Sequence, residues 1–526
     1  MFTRTISSFP SYAQAGKGTA SQTLSKRQWS VIFILTAAAL IPRLIALFFF
    51  QEQGGDGPSR AMQAYMWSIS PVFRPHVVWL PGYIYLSGMF HTIVHDPLMS
   101  TRILNLILGT LSVPVFYLLI RRIFDDTSAL IGAALLAVFP FHIKLSVTSL
   151  TEISFLFEII LGTFLIIKAA MTDSWPRYGC LIFSVLMFGL ASLTRYEVWI
   201  LLPLFPVYFL VKTGRFFQSA FLAAGLALFP IVWMVASFFE TGSFLPAYGA
   251  AMFEAGAGTN FAGALKNIMR FSVSYLGWIL PLLAAGGFLL LLTDTPQKKL
   301  SVDRLLYLAI VCLTGMFCVK FAIDRGSSLW MRYLLFFFVI ILPLGTFVMS
   351  RYLRKYPLII MLVVLLSAAP PFVSQALKLN EVVTRKAAPG IEKVGRWLAD
   401  SPFRDAPILL TVMKWDSTYL PLYRPEIAFR YLIVSDWLQD ANLQDFIATF
   451  QPQVLITRDG EQKYIARLEK LFGKKIMVED RLIYNQDNYK AYDLRGLSSA
   501  VEPSYEPADR TVPVGPDFLH EIRKNF

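Results

Sequence analysis

The chain has 526 residues, 55% of them apolar and only 16% charged, where an ordinary soluble domain carries about 25% charged residues. Its mean hydropathy is +0.54. These figures exclude a disordered chain, a soluble single-domain enzyme and a nucleic-acid binder, and they point to a polytopic membrane protein. The net charge of +13 is unevenly placed: residues 381–526 hold 20 Lys/Arg and 21 Asp/Glu, leaving 28 and 14 for residues 1–380. A basic, membrane-embedded body is therefore expected over 29–380. Lipid headgroups or a phosphate-bearing substrate suit it as partners, and nucleic acid does not.

Residues 1–28 are polar and read as a cytoplasmic tail without a cleavable signal. About eleven apolar stretches of bilayer length follow. They lie near 29–50, 101–120, 128–143, 153–171, 178–194, 197–211, 216–238, 271–292, 304–323, 332–350 and 357–377. With the N-terminus inside, the short inner loops carry Lys26-Arg27, Arg121-Arg122, Lys168 with Arg177, Lys212 with Arg215, Lys298-Lys299, and Arg351, Arg354 and Lys355. That is the positive-inside pattern, and it places the C-terminal region outside.

The first outer loop, about 51–100, is far too long for a connector. Its apolar stretches near 62–70 and 78–94 read as helices lying at the interface. Residues 381–496 alternate helix and strand signals and are expected to form a soluble α/β domain. Its predicted helices are Pro389–Ser401, Leu443–Phe450 and Glu461–Phe472. Its predicted strands are Pro407–Val412, Val454–Thr457, Lys475–Val478 and Arg481–Tyr484. The Pro-rich tail 497–526 is expected to be poorly ordered.

Charged groups beside membrane spans are costly, so each is a candidate for function. Asp56, in Gly54-Gly55-Asp56-Gly57-Pro58, follows the first span, and glycines on both sides allow a close approach to a ligand. Its plainer alternative is a turn aspartate. Glu152, in Ser149-Leu150-Thr151-Glu152, stands where a capping acid also fits, with Lys144 near in sequence as a partner. Arg195 and Glu197 flank Tyr196, and Arg332 opens a late span; interfacial anchoring is the alternative for these. Arg74 and His76 lie in the first loop, ahead of Trp79-Leu80-Pro81-Gly82-Tyr83. Arg74, Lys144, Arg195 and Arg332 are the candidate contacts for a lipid phosphate, and His76, Tyr83 and Tyr196 for the rest of a substrate. His91 and His95 are four apart with Asp96 next, but no further metal signature accompanies them, and Asp125 reads as a helix cap. Glu158 lies mid-span and is expected to pack against a polar neighbour. No nucleotide-binding motif is present.

The order of these features resembles a known family. A Gly-Asp follows the first span, then come Pro81-Gly82-Tyr83 and an Arg-x-x-Asn from Arg102 to Asn105. Thr151-Glu152, Leu193-Thr194-Arg195 and Arg332-Tyr333-Leu334-Leu335 complete the series. Over about residues 30–350 the chain resembles the GT-C glycosyltransferases, in particular the bacterial relatives of dolichyl-phosphate-mannose protein mannosyltransferases and of lipid A aminoarabinose transferases. The resemblance implies an integral protein of the bacterial plasma membrane that transfers a sugar, with inversion, from a polyprenyl-phosphate donor to a lipid, glycan or protein acceptor on the outer face. It implies Asp56 as general base, Glu152 as a second catalytic residue, and no cofactor, although some members use a divalent metal. Many members carry an Asp-Glu pair in the first loop; here Gly57 follows Asp56, which leaves the acceptor class open and shifts weight to Glu152. A lipid or glycan flippase is the competing class, but it would normally show two similar halves, and none is visible.

Overall fold

The computed structural model describes residues 25–50, 56–73, 79–172, 175–245, 258–293, 301–325, 331–353, scattered positions between 355 and 366, and then 389–411, 431–433, 440–458, 462–486, 489–498 and 501. Among these, eight helices are long and apolar enough to cross a membrane, or nine if a bent pair is one span. They fall on eight of the expected spans. Of the remaining expectations, 357–377 lies mostly outside the described residues, and two are altered by identifiable breaks.

The membrane body begins with α1 (Lys26–Phe49), α2 (Asp56–Ile69), α3 (Gly82–His91) and α4 (Pro97–Ile123). The apolar stretches near 62–70 and 78–94 fall on the helices α2 and α3. α4 is capped by Asp96, whose carboxylate accepts from the Met99 amide at 2.6 Å. The expected span 128–143 is instead α5 (Asp126–Val138) followed by the short α6 (Pro140–Leu145). Pro140 forces Phe139 out of the helical region, to φ −66° and ψ 110°, and ends α5 there. Asp125 caps α5, accepting from the amides of Thr127 and Ser128 and the hydroxyl of Ser350.

Next come α7 (Glu152–Ala170), α8 (Pro176–Thr194), α9 (Leu204–Thr213) and α10 (Phe216–Thr241). The expected span 271–292 is broken into α11 (Phe261–Leu276) and α12 (Ile279–Thr293), bent by 113°. The break falls at Gly277, with φ 68°, a backbone that other residues rarely adopt. α13 (Val302–Arg325) and α14 (Leu335–Leu353) close the body. Helices α4, α7 and α14 form its buried centre. α1 and α10 lie outside and expose Phe33, Phe48, Phe217 and Phe239, as a lipid-facing surface requires.

The second region is α/β. α15 (Pro389–Asp400), β1 (Ile408–Leu410), β2 (Tyr431–Ile433), α16 (Asp440–Phe450), β3 (Val454–Arg458), α17 (Gln462–Phe472), β4 (Leu482–Gln486) and β5 (Tyr489–Asp493) make a sheet of order β2-β1-β3-β5-β4. β1 runs parallel to β2 and β3, while β5 runs antiparallel to β3 and β4. Alternation along the strands divides the core. Ile408, Leu410, Val454 and Ile456 pack on Ile391, Val394 and Leu398 of α15, and Leu409, Leu455 and Tyr492 pack on α16 and α17. Lys475–Val478 is not a strand: the amides of Ile476 and Met477 are taken by the Glu469 carboxylate at 2.7 and 3.3 Å. The strands β2 and β5 had no counterpart in the sequence reading. Most of the Pro-rich tail lies outside the described residues.

Candidate active site

Four segment ends meet at one end of the helix bundle. Asp56 is in the first turn of α2, where the helix terminus favours a negative charge. Glu152 opens α7. Arg195 caps α8 in an extended conformation, φ −151° and ψ 143°, which turns the chain out of the helix. Arg332 lies in the 3-10 turn Met331–Leu334 that leads into α14.

Their side chains form one ion-pair network. Glu152 Oε1 accepts from Arg195 Nη1 at 3.1 Å and lies 3.6 Å from Arg332 Nε. Arg195 also holds Glu197, through Nε at 2.9 Å and through Nη2. Arg332 Nη2 pairs with Asp56 Oδ2. Glu152 is the deepest carboxylate, its side chain 3% exposed, against 19% for Asp56 at the rim. Its second oxygen, Oε2, is buried with no hydrogen-bond partner among the described residues. Burial works against the charge on Arg195, but Glu197 and Glu152 outweigh it, and the guanidinium is held above its ordinary pKa. Tyr333 completes the cluster: both arginines stack on its ring at 5.1 Å.

The irregular segment 146–151, which delivers Glu152, is moulded on α4. Arg102 donates from Nε to the Val147 carbonyl at 2.7 Å and from Nη2 to the carbonyls of Leu47, at 3.0 Å, and Phe50. One guanidinium thus ties the chain entering Asp56 to the chain entering Glu152. Asn105 Nδ2 donates to the carbonyls of Thr148 and Leu150 at 2.6 and 2.7 Å. Thr101 bonds Ser149 at 2.6 Å. At Gly109 even a methyl group would meet Ser146 Oγ at 2.2 Å, so a side chain there would push the segment off the helix. From α1, the fully buried Arg43 reaches Ser146 Oγ at 3.2 Å, the Ala137 carbonyl at 3.1 Å and His142 Nδ1 at 2.5 Å. Backbone carbonyls that no helix can satisfy are thereby answered by side chains.

Asp56, Glu152, Arg195 and Arg332 therefore come together. The other expected residues are placed differently. Lys144 is not the partner of Glu152, which takes both arginines instead; its ammonium lies 5.4 Å from the Phe50 ring. Tyr83 is fully buried, and its hydroxyl receives the Asn105 amide at 3.0 Å. Tyr196 packs against Trp199 at 5.0 Å, in a cluster with Leu80, Leu193 and Trp233. Arg74 and His76 lie outside the described residues. α3 ends at His91, so His91 and His95 do not share a helix face. Among the described residues no three His, Cys, Asp or Glu side chains gather as a metal shell. Glu158 accepts from Ser154 Oγ at 2.6 Å, the polar neighbour expected of it.

Two members of the cluster were not among the expected site residues. Tyr333 stands in the motif Arg332-Tyr333-Leu334-Leu335. Arg60 is 7% exposed and lies beside Asp56, Glu152 and Arg332. Its signal in the sequence is the four-residue spacing from Asp56, which puts both on one face of α2.

Residues 74–238 match the family model described as dolichyl-phosphate-mannose-protein mannosyltransferase. No curated protein sequence matches the chain significantly. Among solved structures, the chain is similar to ArnT from Cupriavidus metallidurans bound to undecaprenyl phosphate, with TM-score 0.61 and 12% identity over 91% of this chain and 100% of that one. It is also similar to the oligosaccharyltransferase AglB of Archaeoglobus fulgidus. The AglB complex with an inhibitory peptide and a dolichol-phosphate has TM-score 0.54 and 13% identity over 84% of this chain and 71% of that one. A complex of the same archaeal enzyme with Zn and sulfate gives TM-score 0.53 at 14% identity. The chain is an integral membrane protein with the fold of the GT-C glycosyltransferase superfamily.

Proposed function

We propose that this protein transfers a sugar from a polyprenyl-phosphate donor to a hydroxyl acceptor, with inversion, at the outer face of the membrane. The observation that carries the reading is the convergence of Asp56, Glu152, Arg195 and Arg332, from four separate segments, into one partly buried network. Its chemistry suits an anionic leaving group. The acceptor oxygen attacks the anomeric carbon and gives its proton to Asp56. The bond from that carbon to the phosphate oxygen breaks, and its electron pair leaves with the lipid phosphate.

Asp56 takes the part of base because it is the rim carboxylate, within reach of an arriving acceptor. A positioned base is worth about 10²–10⁴-fold. Arg332, which pairs with Asp56, can turn to the phosphate as charge develops there, and this frees the base in the same step. Glu152 orients both arginines from beneath, so the cations are in place before reaction. Support for a lipid-phosphate donor comes from the ligands named with the similar structures, undecaprenyl phosphate and dolichol-phosphate.

The test is to supply membranes containing the protein with a panel of polyprenyl-phosphate sugars and to follow release of polyprenyl phosphate by mass spectrometry. Release from one donor, dependent on the protein and on an added envelope acceptor, is expected. Donor passing across sealed vesicles with no release would instead mark a flippase.

A further inference from the structure

One cation of the cluster is not used by its ion pairs. Arg60 stands one turn after Asp56 on α2, more than nine-tenths buried. Glu152, Glu197 and Asp56 direct their ion pairs to Arg195 and Arg332. Arg60 Nε and Nη1 have no hydrogen-bond partner among the described residues. Buried guanidinium nitrogens without acceptors are costly to maintain. The indole of Trp79 lies against it, 5.0 Å from guanidinium carbon to ring centroid. That contact covers the face of the guanidinium and leaves its N–H edges to meet a planar or tetrahedral oxyanion. Burial lowers the Arg60 pKa, and the neighbouring carboxylates Asp56 and Glu152 counter it.

We propose that Arg60 is a ligand of the donor's phosphate and acts most strongly on the departing polyprenyl phosphate. The proposal rests on the transferase reading above. Arg60 also feels the repulsion of Arg332. Two neighbouring guanidiniums, one of them with Nε and Nη1 unpartnered among the described residues, suit an anion that can bridge them. A phosphate monoester does so best, because its charge approaches −2 as the sugar leaves it. A neutral acceptor sugar would give the Arg60 Nε and Nη1 donors no charged acceptor.

The test uses the full-length protein in detergent micelles. Dissociation constants are measured for a C55 polyprenyl phosphate, the matching polyprenol and inorganic phosphate, for the wild type, Arg60→Met and Arg60→Lys. The expected wild type binds the lipid phosphate at least tenfold more tightly than the polyprenol. Arg60→Met loses that preference and binds the polyprenol unchanged, while Arg60→Lys is intermediate. Arg60→Met is also expected to melt no lower than the wild type, since it removes two buried N–H donor nitrogens that have no acceptor among the described residues; a structural arginine would lower the melting temperature. A wild-type preference retained in Arg60→Met overturns the proposal and leaves the transferase reading standing. Wild-type protein with no preference for the phosphate overturns the transferase reading itself. Inorganic phosphate binding as tightly as the lipid would assign the site to a soluble anion and overturn the lipid assignment. If Arg60→Met melts lower, Arg60→Lys decides: wild-type affinity supports a cation contact, and lost affinity in a stably folded Lys variant marks Arg60 as structural.

Discussion

Glu152→Gln keeps the shape of the side chain and removes one negative charge from beneath the two arginines. Arg195 keeps Glu197 and Arg332 keeps Asp56, so neither cation is stripped bare. The loss of stability is therefore expected to be about 1–3 kcal/mol, below the 3–5 kcal/mol of a buried charge left with no partner. The site gains one unit of positive charge. At about 6 Å and an effective dielectric near 20 that charge is worth about 3 kcal/mol toward a bound phosphate. Even with half of this lost to screening, polyprenyl phosphate should bind about tenfold more tightly, since a factor of ten is about 1.4 kcal/mol. Single-turnover transfer should nevertheless slow, because Arg332 has lost one of the two carboxylates that position it. Equilibrium binding and single-turnover rates, measured on the same folded preparation, separate the two effects. Weaker phosphate binding by a stable Glu152→Gln protein would refute the reasoning and put Glu152 in contact with the ligand.

Two further predictions concern parts outside the active-site network. Arg102→Met leaves the carbonyls of Leu47, Phe50 and Val147 without their donor, so about 3–5 kcal/mol of stability should be lost, with Arg102→Lys restoring part of it, as read by thermal unfolding in detergent. In the α/β region, burial would raise the Asp493 pKa, but hydrogen bonds from the Arg495 side chain and amide and its charge outweigh this and hold the carboxyl below its usual range. A depressed folded pKa means stability that is complete above about pH 4 and lost as pH falls through the lower folded value. The stability advantage of wild type over Asp493→Asn should therefore shrink between pH 5 and pH 2.5, by a small amount because the pair is solvent-exposed; an advantage that grows over that range would reverse the assignment.

Much of the membrane body was legible because hydropathy and loop charge report directly on burial in lipid. The departures have local causes. Pro140 shortens α5, and Gly277 folds what reads as one span into two helices. In the soluble region the three-residue β2 and the polar-edged β5 are too short or too mixed to give a period-2 signal, and Glu469 captures amides that looked like a strand. At the site, the cost of charge beside the membrane singled out Asp56, Glu152, Arg195 and Arg332. Their pairing was not legible. Lys144 is near Glu152 in sequence, yet the fold brings arginines from 43 and 180 positions away instead. Arg60 was missed because an arginine on a loop helix reads as solvated; only the burial of α2 makes it unusual. Arg102 and Asn105 stood out as a motif, but their task became visible only with the carbonyls they answer.

The most direct measurement is transfer of radiolabelled sugar from polyprenyl-phosphate donors into envelope acceptor, comparing wild type with Asp56→Asn at equal expression. Asn keeps the size of the side chain and a hydrogen-bonding oxygen for Arg332, but it cannot take a proton at neutral pH. The account predicts that transfer falls by about 10²-fold or more while polyprenyl phosphate still binds. Transfer at the wild-type rate by Asp56→Asn would contradict it and remove Asp56 from the chemistry.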